Sequence, residues 1–231
     1  MNDLTGQVVL ITGANGGLGA SVTRAFLNAG AAVVGSSRSI SEAPFPQANF
    51  FGISADLSDS TAASQLVART LEKHGRIDSL VHLVGGFAGG QPVHETPDET
   101  WDAMMSLNAG AAFHVLRAVI PHMRQAGRGR IIAVGSRAGM EPAAGIAAYA
   151  ASKAALISLV RTVMLENRDA GITANVILPG TIDTVANRKS DPHAKFSAWI
   201  SPDRIAELAV FLASDAGAQI NGAAIPVYGF Q

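Results

Sequence analysis

The sequence predicts an α/β fold in which a mostly parallel sheet is covered by helices on both faces. Short apolar runs such as Val8–Ile11 alternate with longer segments of helical period along the whole chain. These runs are apolar at every position, which is typical of strands that are buried on both faces. No repeat, low-complexity tract or linker divides the chain, so we expect one doubly wound domain over residues 1–231.

The predicted strands and helices alternate regularly. Seven apolar runs are assigned as strands, at 8–11, 32–34, 50–53, 80–84, 130–134, 173–178 and 224–227. Segments of helical period lie at 18–29, 61–73, 98–124, 149–168 and 202–213, and Asp59 or Ser60 is expected to cap the second of them. The alternation predicts a sheet of about seven strands joined by crossover helices.

Composition excludes several classes of function. Without cysteine the chain has no disulfide, thiolate metal site or cysteine nucleophile, and its histidines form no ligand-spaced pair with a carboxylate, so no metal is expected. A net charge of −1 offers no general attraction for nucleic acid or membrane. No signal peptide or membrane span is recognised, so a cytoplasmic protein is expected. Charged residues make up only 15% of the chain, which indicates burial of some surface between subunits.

A glycine-rich segment follows the first predicted strand and precedes a helix. It comprises Thr12, Gly13, Ala14, Asn15, Gly16, Gly17, Leu18 and Gly19. Glycines here permit a tight turn and a close approach of the backbone to a pyrophosphate, and Gly19 lets the helix pack near the sheet. Free N–H groups at the helix N-terminus would bind the pyrophosphate. The position between strand and helix therefore favours a dinucleotide-binding loop over an ordinary turn.

The end of the second predicted strand bears on the choice of dinucleotide. It has Ser36, Ser37 and Arg38, and no Asp or Glu to bond the ribose hydroxyls as in many NAD sites. Serine hydroxyls and a guanidinium could instead hold the 2′-phosphate of NADP. Arg38 could also be a solvated loop residue, so NADP(H) is favoured while NAD(H) stays possible.

A phenol and an ammonium lie one helical turn apart, at Tyr149 and Lys153. A phenol has a pKa near 10, and a nearby ammonium and an oxidised nicotinamide would lower it. Ser136, at the carboxyl end of a predicted strand, could bond a substrate oxygen there. A Tyr-x-x-x-Lys pair alone could be ordinary helix surface, but its placement after Ser136 favours catalysis.

In combination these motifs resemble the short-chain dehydrogenase/reductase family along the whole chain. The resemblance implies a Rossmann-type fold and hydride transfer between a nicotinamide and a carbonyl or secondary alcohol. It implies that Tyr149 is the acid/base and that Lys153 lowers its pKa and binds the nicotinamide ribose. Ser136 would position the substrate oxygen and Asn108 would support a proton relay. It also implies a homotetramer or homodimer.

The resemblance extends to a set of cofactor contacts. Asp56 matches the family's adenine-contacting acid, although it could instead cap the turn that follows. The segment after the sixth strand would contact the nicotinamide carboxamide and a phosphate. The full set of expected cofactor residues is Gly13, Asn15, Gly16, Gly17, Leu18, Gly19, Ser37, Arg38, Asp56, Leu57, Gly85, Tyr149, Lys153, Pro179, Gly180, Ile182 and Thr184.

One segment departs from the family pattern, and three functions stay open. After the fourth strand the family commonly has Asn-Asn-Ala-Gly, whereas this chain has His82-Leu83-Val84-Gly85, without the asparagine contacts that brace the sheet. The favoured function is an NADP(H)-dependent reductase, 3-oxoacyl reductase-like or acting on small ketones. The alternatives are an NAD-dependent alcohol dehydrogenase and a non-catalytic dinucleotide sensor.

Overall fold

The sheet of this protein has seven parallel strands. The computed structural model describes residues 3–230, and within them the strands are β1 (Val8–Thr12), β2 (Ala32–Ser37), β3 (Phe50–Ser54), β4 (Ser79–His82), β5 (Gly129–Val134), β6 (Ile172–Pro179) and β7 (Ala224–Val227). Their order is β3-β2-β1-β4-β5-β6-β7. The predicted doubly wound α/β fold is confirmed. Because the order reverses between β1 and β4, a crevice opens at the carboxyl ends of these two strands.

Helices cover both faces of the sheet. They are α1 (Gly19–Asn28), α2 (Ser60–His74), α3 (Asp98–Met104), α4 (Ala111–Ala126), α5 (Ala147–Asn167), α6 (Val185–Ser190) and α7 (Pro202–Ala213). Alternate strand residues face opposite layers: Leu10 lies in the core under α2, α4 and α5, and Ile11 in the core under α1 and α7. Continuous apolar strands thus fill two cores at once.

The helix bounds refine the sequence prediction at three places. Asp59 is the N-cap of α2, and its carboxylate accepts a hydrogen bond from the Thr61 N–H at 2.8 Å. The helical pattern predicted at 98–124 is divided by a π-helical turn, Met105–Gly110. The short helix α6 was not predicted, because six residues do not develop a helical period.

Two helical stretches are apolar and long enough to cross a membrane by length and composition alone, Asp98–Ala126 and Ala147–Ala170. Each contributes buried residues to the core beneath the sheet, among them Val115 and Val160. Core helices pass the same criterion, so their composition is explained by packing against the sheet and by an apolar outer face.

Candidate active site

The loop between β1 and α1 has the shape expected of a phosphate-binding turn. Gly13 has a φ of +74°, and its N–H donates to the Ser36 carbonyl oxygen at 2.7 Å, which fixes the loop against β2. A Cβ on Gly19 would collide with the Gly13 carbonyl oxygen, and one on Gly17 would lie 3.0 Å from the Thr184 side chain. Glycines at these positions therefore allow the close packing on which the predicted function depends.

A cavity of about 420 Å³ opens beside this loop, at the strand reversal between β1 and β4. Residues from the loop, from the ends of β2, β3 and β4 and from the π-helical turn line it; they include Gly13, Asn15, Gly16, Ser37, Arg38, Asp56, Leu57, Gly85 and Ser106. The hydroxyl oxygens of Ser36 and Ser37 are buried without a hydrogen-bond partner among the described residues. Unpaired hydroxyls in a cavity beside a glycine loop fit the sugar and phosphate groups of a dinucleotide.

Two of the predicted cofactor residues already bond within the protein. The Asn15 side-chain amide donates to the Ser39 carbonyl oxygen at 2.7 Å. The Asp56 carboxylate accepts from the Ser58 N–H at 3.0 Å and from its hydroxyl at 2.8 Å, which lowers the pKa of Asp56, and the charge of Arg38 adds a smaller effect. Asp56 thus caps the turn, as the alternative interpretation holds, while it also lines the cavity.

Tyr149, Ser136 and Lys153 meet at the carboxyl end of β5. The pKa of Tyr149 is raised, mainly by burial, and a hydrogen bond with the Ser136 hydroxyl offsets part of this rise. The lowering of this pKa by Lys153 together with an oxidised nicotinamide stays a prediction for the protein with its dinucleotide bound. Burial lowers the pKa of Lys153 to about 8, and its Nζ donates to the Val134 carbonyl oxygen at 3.2 Å. Desolvation by burial is thus the largest cause of both shifts.

Asn108 is buried in the π-helical turn and ties this site to the loop after β4. Its Oδ1 accepts from the Gly86 N–H at 3.0 Å, and its Nδ2 donates to the Gly86 carbonyl at 3.1 Å and to the Ser152 hydroxyl at 3.0 Å. A Cβ on Gly85 would lie 2.7 Å from Asn108 Oδ1 and 3.0 Å from Lys153 Nζ. Gly85 therefore leaves room for the network. The wider π turn, a common feature of functional sites, brings Asn108 into it.

The segment after β6 lies beside the glycine loop, where a Cβ on Gly17 would come within 3.0 Å of the Thr184 side chain. Gly180, just beyond Pro179, donates its N–H to the Val227 carbonyl oxygen at 3.1 Å, and the Ile182 carbonyl accepts from the Thr184 N–H at 2.9 Å. Thr184 caps α6: its hydroxyl oxygen accepts from the Asn187 N–H at 3.2 Å. The Thr184 O–H is then free to donate to a phosphate oxygen.

His82 replaces the family's sheet-bracing asparagine with a different contact. It lies opposite Thr12 in the pairing of β4 with β1, and the Thr12 hydroxyl is 2.9 Å from His82 Nδ1. The sheet is therefore braced here after all. The ring is fully buried, and burial together with the charge of Lys153 lowers the pKa of His82 to about 3. Its Nε2 has no partner among the described residues.

One residue of the site was not predicted. The Phe87 ring lies 5.0 Å from the Tyr149 ring, centroid to centroid, with an interplanar angle of 73°. The signal in the sequence is a lone aromatic residue inside a glycine-rich run, Gly85–Gly90. Glycines in such a run usually indicate only a flexible loop, so the aromatic residue carried no assignment.

The fold and the site define a class, a nicotinamide dinucleotide-dependent oxidoreductase, and comparisons with known proteins agree. A family model described as short chain dehydrogenase matches residues 7–195. The chain is 34% identical to the short-chain dehydrogenase/reductase olcF of Penicillium canescens, over 98% of this chain and 97% of that protein. It therefore belongs to the short-chain dehydrogenase/reductase family and acts on CH–OH or C=O groups.

Two further similarities bear on the site. The chain is 33% identical to the 2,3-dihydro-2,3-dihydroxybenzoate dehydrogenase of Escherichia coli (strain K12), over 87% of this chain and 76% of that protein. It superposes on the crystal structure of a levodione reductase with a TM-score of 0.91 and 27% identity, and the match covers 97% of both chains. Oxidoreductases of both names, dehydrogenase and reductase, thus share this architecture.

Proposed function

We propose that this protein transfers a hydride between NADP(H) and a small carbonyl compound or secondary alcohol. The convergence of Ser136, Tyr149 and Lys153 at the carboxyl end of β5 carries the proposal. Such an end is where ligands bind in open α/β sheets, and the three groups supply a hydroxyl donor, an acid/base and a positive charge. The cavity beside the glycine loop would hold the dinucleotide.

The residues divide the chemistry of reduction among themselves. The glycine loop and the cavity beside it would hold the dinucleotide, which would supply a hydride to the carbonyl carbon. Tyr149 donates its phenolic proton to the carbonyl oxygen, and its raised pKa keeps the phenol protonated for this step. The Ser136 oxygen accepts from the Ala138 N–H at 3.2 Å, and its O–H, which bonds the Tyr149 oxygen in this structure, would turn to the substrate oxygen when a substrate is bound. Lys153 lies one helical turn from Tyr149, where its ammonium stabilises the phenolate that remains.

Asn108 would support the proton path to Lys153 and Tyr149 as a positioning residue. Asn108 is fully buried, and its side chain is saturated by Gly86 and Ser152, so it holds the loop and α5 in register. The Ser152 hydroxyl in turn donates to the Tyr149 carbonyl oxygen at 2.8 Å. The network therefore fixes the backbone that carries the phenol. A fixed backbone keeps the phenol at a defined distance from the groups with which it exchanges a proton.

The preference for NADP(H) rests on the end of β2. Arg38 is exposed and has no ion pair among the described residues, and the neighbouring Ser37 hydroxyl has no partner. No carboxylate stands at this strand end, where it would repel a 2′-phosphate. A guanidinium and a hydroxyl together form charge-assisted hydrogen bonds to a phosphate.

Fluorescence titration of NADPH and NADH tests this preference in the parent protein, Arg38→Ala and the control Arg69→Ala. We expect NADPH to bind about 10- to 100-fold more tightly than NADH in the parent and in the control, from one or two charge-assisted hydrogen bonds. Arg38→Ala should remove most of this difference. Tighter binding of NADH, or no effect of Arg38→Ala, would instead support an NAD-dependent alcohol dehydrogenase.

Tyr149→Phe separates turnover from binding. The variant keeps the ring and its packing but has no proton to donate, so turnover should fall about 10²- to 10⁴-fold. The dissociation constant of NADPH should change less than about threefold, because the cavity that holds the dinucleotide lies apart from this hydroxyl. A non-catalytic dinucleotide sensor would bind NADPH equally well in both proteins, with no turnover in either.

We also propose that the protein forms a homotetramer or homodimer. Phe113 on α4 and Leu165 on α5 are large apolar side chains that remain exposed, and small residues at Ala154 and Ser158 would permit close helix contact. Exposed apolar patches of this kind commonly mark subunit interfaces. Light scattering of the purified protein should give a dimeric or tetrameric mass, and a monomeric mass at micromolar concentration contradicts the proposal.

A further inference from the structure

Phe87 touches the proposed acid/base and is otherwise open to solvent. Its ring makes an edge-to-face contact with Tyr149, yet 66% of Phe87 is exposed. An aromatic side chain contributes most when its ring is covered, so its open face is available to a ligand. We propose that Phe87 is a specificity-determining residue, whose open face packs against the ring of an uncharged aromatic or alicyclic ketone or alcohol. This inference rests on the proposed hydride transfer at Tyr149.

The segment that carries Phe87 is fastened on both sides. On one side Asn108 bonds both the N–H and the carbonyl oxygen of Gly86, at 3.0 and 3.1 Å. On the other side the Gly90 N–H donates to the Gly145 carbonyl oxygen at 2.7 Å. The backbone that carries the ring is therefore held in place before a ligand arrives, which reduces the entropy lost on binding. The same Asn108 that organises the catalytic network thus also positions Phe87.

The loop around Phe87 is closely packed. A Cβ on Gly89 would lie 3.2 Å from the Phe87 ring and 2.8 Å from the Ile146 side chain, so this glycine lets the loop pack closely. A hollow of about 80 Å³ lies beside Gly89; neither Phe87 nor Tyr149 lines it, and its lining includes Gly89, Gln91, Thr96, Thr100, Gly145, Ile146 and Ala148. The group beside the reacting phenol that is open to a ligand is therefore the Phe87 ring itself.

The charged residue that follows Ser136 in the sequence is already paired. Arg137 follows Ser136, and its Nε donates to the Glu141 carboxylate at 2.7 Å while its guanidinium lies over the Tyr228 ring at 5.0 Å. A guanidinium committed to a carboxylate and a ring has little attraction left for a substrate anion. This pairing favours an uncharged ligand, in contrast to the benzoate in the name of the Escherichia coli relative.

Steady-state kinetics with three probe ketones tests the role of Phe87. Cyclohexanone and 2-hexanone both have six carbons and differ in the ring, and 4-oxocyclohexanecarboxylate adds a charge. The proteins are the parent, Phe87→Ala, Phe87→Leu and the control Val93→Ala, which removes another exposed apolar side chain of the same segment. Dissociation constants of NADPH are measured for all four, so that loss of substrate contact is separated from damage to the cofactor site.

We expect the parent to have the highest kcat/KM with cyclohexanone. Phe87→Ala should lower this value about tenfold, mainly through KM, and the value for 2-hexanone less than about threefold. Phe87→Leu should fall between them, and Val93→Ala and all NADPH affinities should stay unchanged. Equal losses for both ketones in Phe87→Ala, or a preference of the parent for the charged ketone, would overturn the inference.

Failure of the proposed function gives a different result. If the parent turns over none of the ketones with either dinucleotide, nor the corresponding alcohols, the hydride-transfer proposal fails for this chemistry. Calorimetric titration of cyclohexanol into the NADP-loaded protein then still decides the contact. Weaker binding by Phe87→Ala than by the parent supports the ring contact, whereas equal affinities or no binding by the parent overturn it.

Discussion

Asp78, at the amino edge of the sheet where the strands begin, and two polar groups at the carboxyl edge, where the strands end, differ in how the chain satisfies them. At the amino edge the Asp78 carboxylate accepts hydrogen bonds from the Val8 N–H at 2.8 Å and from Arg76 Nη2 at 2.6 Å, and it pairs with Arg128 as well. At the carboxyl edge the hydroxyl of Ser37 and the Nε2 of His82 have no partner among the described residues. The chain itself saturates the Asp78 carboxylate, whereas it leaves the Ser37 hydroxyl and His82 Nε2 unpaired; the hydroxyls of Ser79 and Thr173, near the amino edge, also lack a partner among the described residues.

Asp78 is the structural member of this comparison, and the carboxyl-edge groups adjoin the proposed site. A buried polar group without a partner reduces stability. At the carboxyl edge, burial alone shifts the pKa of Lys153 to about 8. The comparison predicts that removing the Asp78 carboxylate lowers the free energy of unfolding, while removing the polar groups of Lys153, His82 or Ser37 has little effect or raises it.

The largest change is expected for Asp78→Ala. The substitution leaves the Val8 N–H unpaired and removes the carboxylate from Arg76 and Arg128, so the free energy of unfolding should fall by about 4 kcal/mol. Urea denaturation measures it, with Asp169→Ala, whose side chain is 99% exposed, as the control that should stay within about 0.5 kcal/mol. NADPH affinity under native conditions should not change. A loss below about 1 kcal/mol would contradict the structural role of this edge.

Lys153→Met is expected to raise the free energy of unfolding, in contrast to Asp78→Ala. A fall of the pKa from 10.5 to about 8 corresponds to about 3 kcal/mol of destabilisation at neutral pH, of which the hydrogen bond to Val134 returns part. The variant should therefore be more stable by about 2 kcal/mol at pH 7, without turnover. Because the unfolded chain binds the proton more tightly, the advantage should shrink as the pH rises from 8 toward 10.5.

Urea denaturation at pH 7 and at pH 9.5 measures this effect, and the exposed Lys195→Met serves as the control. That control should change the free energy of unfolding by less than about 0.5 kcal/mol at either pH. A variant that is less stable than the parent at pH 7 would mean that the lysine stem and its single hydrogen bond outweigh the burial of the charge.

The same contrast explains how much could be predicted from the sequence. Strands and most helices were predictable, since apolar runs and helical periods are local features, and Ser136, Tyr149 and Lys153 were recognisable by their order and spacing. Two contacts were not predictable, namely that of Phe87 with Tyr149 and that of His82 with Thr12. Both depend on residues brought together from different strands and loops. The rise of the Tyr149 pKa by burial was not predictable, because spacing shows a neighbouring charge but not the extent of burial.

A smaller, pH-dependent effect is expected at His82. The pKa of His82 is about 3 in the folded protein and 6.5 as its ordinary value. Between these two pH values the unfolded chain therefore binds a proton at this ring, whereas the folded chain does not. Stability therefore falls as the pH drops below 6.5, by about 1 kcal/mol between pH 7 and pH 5.5 for this group alone. His82→Asn should remove that part of the fall. Thermal unfolding at both pH values measures it.

His94→Asn is the matched control for His82, because the His94 side chain is 79% exposed and should leave the acid sensitivity as it is in the parent. If His82→Asn and the parent lose the same stability on acidification, the ring does not exclude the proton. In that case groups other than His82 are responsible for the loss of stability at low pH.

The smallest change in stability is expected for Ser37→Ala. The hydroxyl has no partner, so its removal should change the free energy of unfolding by less than about 0.5 kcal/mol. NADPH affinity should nevertheless fall about 5- to 10-fold, since the hydroxyl would lose a hydrogen bond to a charged phosphate. NADH affinity should stay constant. An equal loss for both dinucleotides would place this hydroxyl on the ribose, and a loss of stability without loss of affinity would make the carboxyl edge structural here, like Asp78 at the other edge.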